Sequence, residues 1–117
     1  MRLLAISDLH VGYKTNAAAI EALPPHPDDW LVVAGDVGET LEHLSWTMDR
    51  LTERFARVLW VPGNHELYTL RKDTLQAVGE ARYAALVDAC RARGVLTPED
   101  PWARWPGDPD VAIALCF

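Results

Sequence analysis

The sequence contains only two cysteines and no apolar run long enough to cross a membrane. Cys90 and Cys116 lie far apart and lack the paired spacing of a zinc site, so we expect two reduced, core-like thiols, as in cytosolic proteins. A membrane helix requires roughly 18 apolar residues, and the run from Leu3 to Ile6 is too short even for the core of a signal peptide. These absences predict a cytoplasmic protein without a membrane-bound segment.

Positive charge is also scarce, because 11 lysines and arginines face 17 aspartates and glutamates, for a net charge of −6. Such a surface repels polyanions, so we do not expect non-specific nucleic-acid binding, and a phosphorylated substrate would need local cations. Half of the residues are hydrophobic and 24% are charged, which is the balance of a folded globular protein and excludes a disordered chain. The length predicts a single domain over residues 1–117.

Three short apolar runs predict buried β-strands, namely Leu3–Ile6, Trp30–Ala34 and Val58–Val61. Because the runs are continuous rather than alternating, we expect strands that are covered on both faces in a parallel sheet. Between the second and third runs, apolar residues recur at helical spacing at Leu41, Leu44, Met48, Leu51 and Phe55. This order of strand and helix predicts right-handed βαβ units, and therefore an α/β fold with a parallel or mixed sheet and flanking helices.

The second half of the chain is less regular. Asp73 followed by Gln76 has the spacing of a capping box, which predicts a helix that starts there and ends at Gly94. Residues 97–110 carry four prolines and predict an ordered loop, and residues 111–117 form an apolar run that predicts the start of another buried strand.

Each of the three predicted strands is followed at once by side chains that can bind a cation. The three segments are Ser7-Asp8-Leu9-His10, Gly35-Asp36 and Gly63-Asn64-His65-Glu66. Because the carboxyl ends of parallel strands lie along one edge of a sheet, we expect these segments to converge. A glycine before Asp36 and before Asn64 allows a close approach of the backbone to an ion. Oxygen and imidazole ligands without a thiolate suit Mn, Fe, Zn or Ni, and Asp36 is the natural bridge if two ions bind.

These three motifs, in this order and spacing, resemble those of the calcineurin-like metallophosphoesterases over residues 1–68. The resemblance implies the N-terminal half of the four-layer sandwich of that family. It also implies hydrolysis of a phosphomonoester or phosphodiester by a hydroxide that two divalent transition metal ions activate. By the same resemblance, Asp8 and His10 would bind the first ion, Asp36 would bridge both ions, and Asn64 would bind the second. His65 would contact the phosphate and assist the leaving group as the catalytic residue.

The sequence departs from the family pattern after His65, because no histidine follows that position. Family members have further histidines downstream, including a Gly-His-x-His pair, that complete both metal shells. An ion usually takes four to six donors, so the four predicted ligands fill about half of two shells. We therefore expect an incomplete domain. Water, a second subunit of a homo-oligomer or a missing C-terminal segment would complete the site, and the alternative is a non-catalytic truncated fragment that binds at most one metal.

Other polar and aromatic residues have less specific interpretations. His26 and His43 are predicted to be surface residues that bind no metal. Glu66 either orients His65 or is a solvated acid at a helix start. Trp102 and Trp105 either form a lip over the substrate or anchor their proline-rich loop, and the sequence favours the anchor.

Overall fold

The computed structural model describes all 117 residues, and its strands and helices alternate along most of the chain. The elements are β1 (Leu3–Ile6), α1 (Lys14–Glu21), β2 (His26–Ala34), α2 (Leu41–Arg54), β3 (Phe55–Val61), α3 (Asn64–Leu67), α4 (Gly79–Arg91), β4 (Ala103–Arg104) and β5 (Ala112–Ile113). Strands β1, β2 and β3 form a parallel sheet in that order, and β4 pairs with β5 as an antiparallel hairpin. The predicted α/β class with helices flanking a parallel sheet is confirmed. None of the helices combines the length and the apolar character that a membrane span requires.

The sheet is centred on β2, which pairs with both of its neighbours. Leu3 lies opposite Trp30 on one side, and Val33 lies opposite Trp60 on the other. Strands β2 and β3 start earlier than the apolar runs indicate, because His26 already pairs with Phe55 before a register shift. Both strands contribute fully buried side chains to the core, which is the environment that their continuous apolar runs predict.

Strand β1 does not have this environment. Leu3 and Ile6 are 42% and 36% exposed. The prediction of a strand that is covered on both faces is therefore wrong for β1. Both β1 and β3 are edge strands, but α2 packs on β3 and Leu96 bridges to it, whereas β2 is the main packing partner of β1. The carboxyl end of β1 is nevertheless held against β2 by the loop that follows.

Helix α2 buries the predicted apolar stripe against the sheet through Leu44, Met48 and Leu51. Its first turn is capped by Thr40, whose hydroxyl oxygen accepts a hydrogen bond from the His43 backbone N–H at 3.1 Å. Phe55, the last residue of the predicted stripe, is not helical and is instead the first residue of β3.

Helix α4 starts at Gly79, so the prediction of a start at Asp73 is wrong. The Asp73 carboxylate accepts a hydrogen bond from the Leu75 N–H at 3.0 Å, but its other partners are distant in sequence. Tertiary contacts therefore override the local capping pattern.

Helix α4 ends at Arg91 with Ala92 as its C-cap, so the prediction of Gly94 as the C-cap is wrong by two residues. Gly94 instead closes the turn after the helix, where its φ is 73° and the Val95 N–H donates to the Cys90 carbonyl at 3.0 Å.

The segment after α4 returns to the sheet at one residue, Leu96, which makes a single parallel bridge with Leu59 of β3. The proline-rich part is mainly loop, as predicted, but residues 111–117 are not a buried strand. Only Ala112–Ile113 pair, they pair with β4 rather than with the main sheet, and Phe117 is 70% exposed.

The two cysteines differ in environment. Cys90 on α4 is buried, and burial raises the pKa of its thiol to about 12, which is the predicted core-like state. Cys116 is exposed, so the prediction of a core-like thiol is wrong there, because the last residues do not enter the sheet. Neither cysteine forms a disulfide.

A fully buried arginine, Arg82 of α4, connects the parts of the chain that surround the carboxyl ends of the strands. Its guanidinium donates to the Asp73 carboxylate at 2.8 Å and to the backbone carbonyl of Glu66 at 2.6 Å, and it also reaches the carbonyls of Leu75 and Glu39. Burial raises the pKa of Asp73, but the hydrogen bonds from Arg82 and from two backbone N–H groups outweigh it and bring the pKa below its ordinary value. The buried charge is therefore fully paired.

Replacement of this arginine by methionine, Arg82→Met, is expected to lower the free energy of unfolding by about 3–5 kcal/mol, because it leaves the Asp73 charge buried and unpaired. Arg91→Met is the matched control, since Arg91 pairs with Asp100 at a partly exposed position and should cost less than about 1 kcal/mol. Urea unfolding followed by circular dichroism measures both values. Similar losses in the two variants would contradict the account.

Candidate metal centre

The residues that follow β1 and β2 have an uncommon backbone conformation. Asp8, His10 and Asp36 have φ values of 56°, 42° and 52°, and they are the only residues other than glycine with positive φ. Such conformations cost about 1–3 kcal/mol each and persist only where the surrounding structure holds them, often at functional sites. All three strained residues belong to the predicted ligand set.

The loops after β1 and β2 continue the pairing of the two strands, and this pairing holds the strained residues. The Asp8 N–H donates to the Gly35 carbonyl at 3.1 Å, and the His10 N–H donates to the Asp36 carbonyl at 3.1 Å. The backbone of each loop is thus bonded to the other loop. The backbone positions of Asp8 and His10 relative to β2 are therefore fixed by main-chain hydrogen bonds.

The structure brings three of the predicted ligands together. One ligand atom from each of Asp8, His10 and Asp36 lies within 4.8 Å of the other two, and His10 Nε2 lies 3.7 Å from Asp8 Oδ1. The Asp8 side chain is largely exposed, whereas the His10 ring is more covered. Two carboxylates and one imidazole at this separation can enclose a divalent cation of the Mn, Fe, Zn or Ni class.

The third strand end reaches the same place through two glycines. A Cβ on Gly63 would overlap Asp36 Oδ1, and a Cβ on Gly35 would lie 2.7 Å from the Gly63 nitrogen. Gly35 also has a positive φ of 82°. Glycine is therefore needed at both positions because the backbones of the loops after β2 and β3 lie too close together for a side chain between them. The His65 N–H uses this proximity and donates to Asp36 Oδ1 at 3.1 Å.

Asn64 and His65 form the start of α3 beside the cluster. Asn64 is exposed, and its Nδ2 donates to the Tyr68 hydroxyl at 2.7 Å, while no hydrogen bond in the chain uses its Oδ1. That oxygen is free to bind an ion. The His65 and His10 rings meet edge to face at 5.0 Å, so the predicted catalytic histidine lies next to a predicted ligand.

His65 also has an unsatisfied nitrogen. Its Nδ1 is buried without a hydrogen-bond partner, and the nearest charge is Glu39 Oε1 at 3.7 Å. A buried polar atom without a partner is uncommon in a native structure and often marks a site where an ion, water or ligand binds. The free Asn64 oxygen fits a cation centre at this edge of the sheet, and the unpartnered Nδ1 of the neighbouring His65 faces the Glu39 carboxylate.

Glu66 differs from both of its predicted roles. It does lie at a helix start, but its residue is only 2% exposed and none of its hydrogen bonds goes to the His65 ring. Its carboxylate accepts the N–H groups of Asp36 at 3.0 Å, Val37 at 2.9 Å and Gly63 at 3.1 Å. The side chain therefore joins the loops after β2 and β3. A buried acid that binds backbone groups distant in sequence leaves no periodic pattern in the sequence. The one available sequence signal is that Glu66 directly follows Gly63-Asn64-His65, which places it near the predicted ligands.

His43 is closer to the centre than the sequence analysis places it. It is half-buried in the first turn of α2, and its Nδ1 accepts the Glu39 N–H at 3.2 Å. With His10 it borders a cavity of about 210 Å³, here called the His43 cavity. The cavity is lined by His10, Gly12, Tyr13, Gly38, Glu39, His43 and Lys72. The sequence feature that could have placed His43 near the cluster is the short loop between Asp36 and α2. This loop keeps the first turn of α2 close to the carboxyl end of β2.

His26 lies at the amino end of β2, at the opposite end of the strand from Asp36. Its Nδ1 contacts Asp29 Oδ2 at 3.2 Å and its ring stacks on Phe55 at 4.9 Å, so it is half-buried rather than a free surface residue. It contributes nothing to the ligand cluster.

The tryptophans of the proline-rich loop lie away from the cluster. Trp105 packs edge to face on Trp30 at a ring distance of 5.4 Å, which supports the anchor role over the substrate lip. Trp102 is exposed.

Comparison with known proteins gives concordant results. The profile of the family described as Calcineurin-like phosphoesterase matches residues 1–105. A curated relative, the [Acyl-carrier-protein] phosphodiesterase PptH of Mycobacterium tuberculosis, is 53% identical over 116 residues, which cover 97% of this chain and 36% of the relative. A crystal structure of phosphopantetheinyl hydrolase (PptH) from Mycobacterium tuberculosis superposes with a TM-score of 0.92 at 49% identity. That match covers 99% of this chain and 42% of the other, so the chain spans well under half the length of either.

The close approach of Gly63 to Asp36 generates a direct test of the cluster. Gly63→Ala is expected to displace the Asp36 carboxylate and to weaken Mn²⁺ binding by about 10- to 100-fold, the usual effect of disturbing a group that orients a ligand. Gly94→Ala is the control, because it strains a left-handed glycine far from the cluster. Isothermal titration calorimetry gives both affinities. If the Gly63 variant binds as tightly as the control, the cluster is not the metal site.

Proposed function

The chain belongs to the calcineurin-like phosphoesterase family, and from that premise we propose that residues 1–117 form a single domain that carries part of a metal-dependent phosphodiesterase site. The observation that supports this proposal most strongly is the cluster of Asp8, His10 and Asp36. Their ligand atoms converge within 4.8 Å, and all three backbones are strained. An exposed acidic cluster that had no function would not need three unfavourable φ values.

We assign the predicted roles to the residues as follows. Asp8 and His10 would hold a first divalent ion, Asp36 would serve both ions, and Asn64 would offer its free Oδ1 to the second. The His65 N–H bond to Asp36 Oδ1 keeps the bridging carboxylate oriented. Bound ions of the Mn, Fe, Zn or Ni class would lower the pKa of water and offset the charge that develops on the phosphoryl oxygens. They would also supply the local positive charge that an acidic chain otherwise lacks.

His65 is proposed to act on the leaving group. Glu39 Oε1 lies 3.7 Å from its Nδ1, so a proton on Nδ1 would face a carboxylate. With both nitrogens protonated, Nε2–H would be the group available to donate to a phosphoryl oxygen or to hand a proton to the departing alkoxide. The edge-to-face contact with His10 keeps the ring beside the ligand cluster.

The four ligand residues supply fewer donors than two ions need, since each ion usually takes four to six. The remaining donors would come from water, from further polypeptide or from a second subunit. The curated relative and the solved structure both have more than twice the length that the chain matches. In the absence of such donors, the chain would bind at most one ion and would hydrolyse nothing.

The substrate class follows from the relative. Its name describes a phosphodiesterase that acts on an acyl carrier protein, and the solved structure is named a phosphopantetheinyl hydrolase. We infer that the bond cleaved at this site is also a phosphodiester on a carrier protein. High identity over almost the whole chain, which includes all three ligand loops, supports this inference.

Asp36→Asn is expected to abolish hydrolysis of bis(4-nitrophenyl) phosphate in the presence of Mn²⁺, with a loss of at least about 100-fold, because the bridge between the ions is weakened. Asp28→Asn is the matched control, since Asp28 is an exposed aspartate at the amino end of β2. Release of 4-nitrophenol measures the rate, and elemental analysis counts the ions. Turnover that is unchanged in the Asp36 variant would contradict the proposed centre.

A further inference from the structure

His43 has a defined orientation and hydrogen-bonding state. Its Nδ1 accepts the backbone N–H of Glu39 at 3.2 Å. Because a backbone N–H can only donate, Nδ1 carries no proton, and the proton of the neutral ring is on Nε2. The Thr40 cap fixes the turn of α2 that carries this residue. His43 therefore presents a hydrogen-bond donor at a constant place beside the ligand edge of the sheet.

Two glycines leave room for this ring. A Cβ on Gly38 would lie 2.5 Å from His43 Cβ, and a Cβ on Gly12 would lie 3.2 Å from His43 Cε1. Neither glycine has a positive φ, so the backbone conformation does not require glycine at either position. At Gly38 the requirement is space for the His43 side chain from Cβ outward, and at Gly12 it is space for the edge of the ring. Two loops therefore pack closely on His43.

Hydrogen-bond donors outnumber acceptors in the His43 cavity. Lys72 offers an ammonium group, Tyr13 offers a hydroxyl group, and His43 offers Nε2–H. The obligate acceptor among the lining side chains, Glu39, lies 3.7 Å from His65 Nδ1 and faces that ring. His10 borders both this cavity and the ligand cluster. A molecule bound at the cluster can therefore extend into the cavity, where it would meet donors.

We propose that the His43 cavity is a subsite for one ester arm of the phosphodiester substrate, and that His43 Nε2–H and Lys72 bind hydrogen-bond-accepting oxygens on that arm. This inference rests on the proposed function, because it assumes that the scissile phosphate binds at the Asp8, His10 and Asp36 cluster. The cavity volume of about 210 Å³ accommodates an arm of a few heavy atoms. The accepting oxygen is a carbonyl or a carboxylate, and an apolar arm would leave the donors unpaired.

Binding of three methyl phosphodiesters to the 117-residue chain with Mn²⁺ tests the subsite without reliance on turnover. The first probe has an N-acetylserine amide arm with carbonyl oxygens, the second has an N-acetylserine arm with a carboxylate, and the third has a butyl arm. Two substitutions separate the nitrogens of the ring. His43→Asn can keep an acceptor for the Glu39 N–H but cannot reach the position of Nε2, whereas His43→Gln can place an amide donor near Nε2.

The chain should bind one or both oxygen-bearing probes about five- to tenfold more tightly than the butyl probe, the effect of one additional hydrogen bond. His43→Asn should lose this preference, and His43→Gln should retain part of it. Lys72→Met separates the two sources of oxygen, since it should weaken binding of the carboxylate probe more than that of the amide probe if the ammonium pairs with a charge. Isothermal titration calorimetry measures each affinity.

Equal affinity for all three probes, or a preference that survives His43→Asn, would overturn the subsite. Asp36→Asn distinguishes this failure from failure of the proposed function, because it should weaken binding of every probe alike. A preference that persists unweakened in Asp36→Asn and without Mn²⁺ would refute the metal centre and, with it, the phosphate position on which the subsite rests. No binding of any probe to the Mn²⁺-loaded chain would refute both.

Discussion

The buried carboxylate of Glu66 is the interaction on which the arrangement of the site depends. It accepts three backbone N–H groups, two from the loop after β2 and one from the loop after β3. Its own carbonyl is held by the buried guanidinium of Arg82. Loss of this acceptor would leave three backbone donors unpaired, at about 1–3 kcal/mol each. One side chain thus keeps two strand ends in contact, and Asp36 lies at the point of contact.

This constraint explains how a site can tolerate strain. Asp8, His10 and Asp36 all have left-handed backbones that the free chain would avoid. Main-chain bonds between the loops after β1 and β2, together with the Glu66 carboxylate, supply the opposing free energy. The close contact of Gly35 with Gly63 is the geometric result. The backbones that carry these side chains are thereby held together by main-chain contacts and by Glu66.

Much of the fold could be predicted from sequence, because it depends on local patterns. Continuous apolar runs predicted the three strands, and the polar groups after each run predicted the edge at which Asp8, His10 and Asp36 converge. Contacts between distant residues left no such pattern. Asp73 has the spacing of a capping box, yet it accepts the Leu41 N–H and pairs with Arg82, so the helix starts later. The roles of Glu66 and His43 depend in the same way on loops that meet only in the folded chain.

Glu66 is inferred to order the candidate metal centre through backbone contacts, and the affinity of Glu66→Gln for Mn²⁺ tests this inference most directly. Glutamine keeps the shape of the side chain but turns an amide donor toward backbone donors. The account predicts about 10- to 100-fold weaker binding, with the far-ultraviolet circular dichroism retained and with Glu42→Gln, on the exposed side of α2, unchanged. Binding by the folded Glu66 variant that is as tight as in the original chain would contradict the claim.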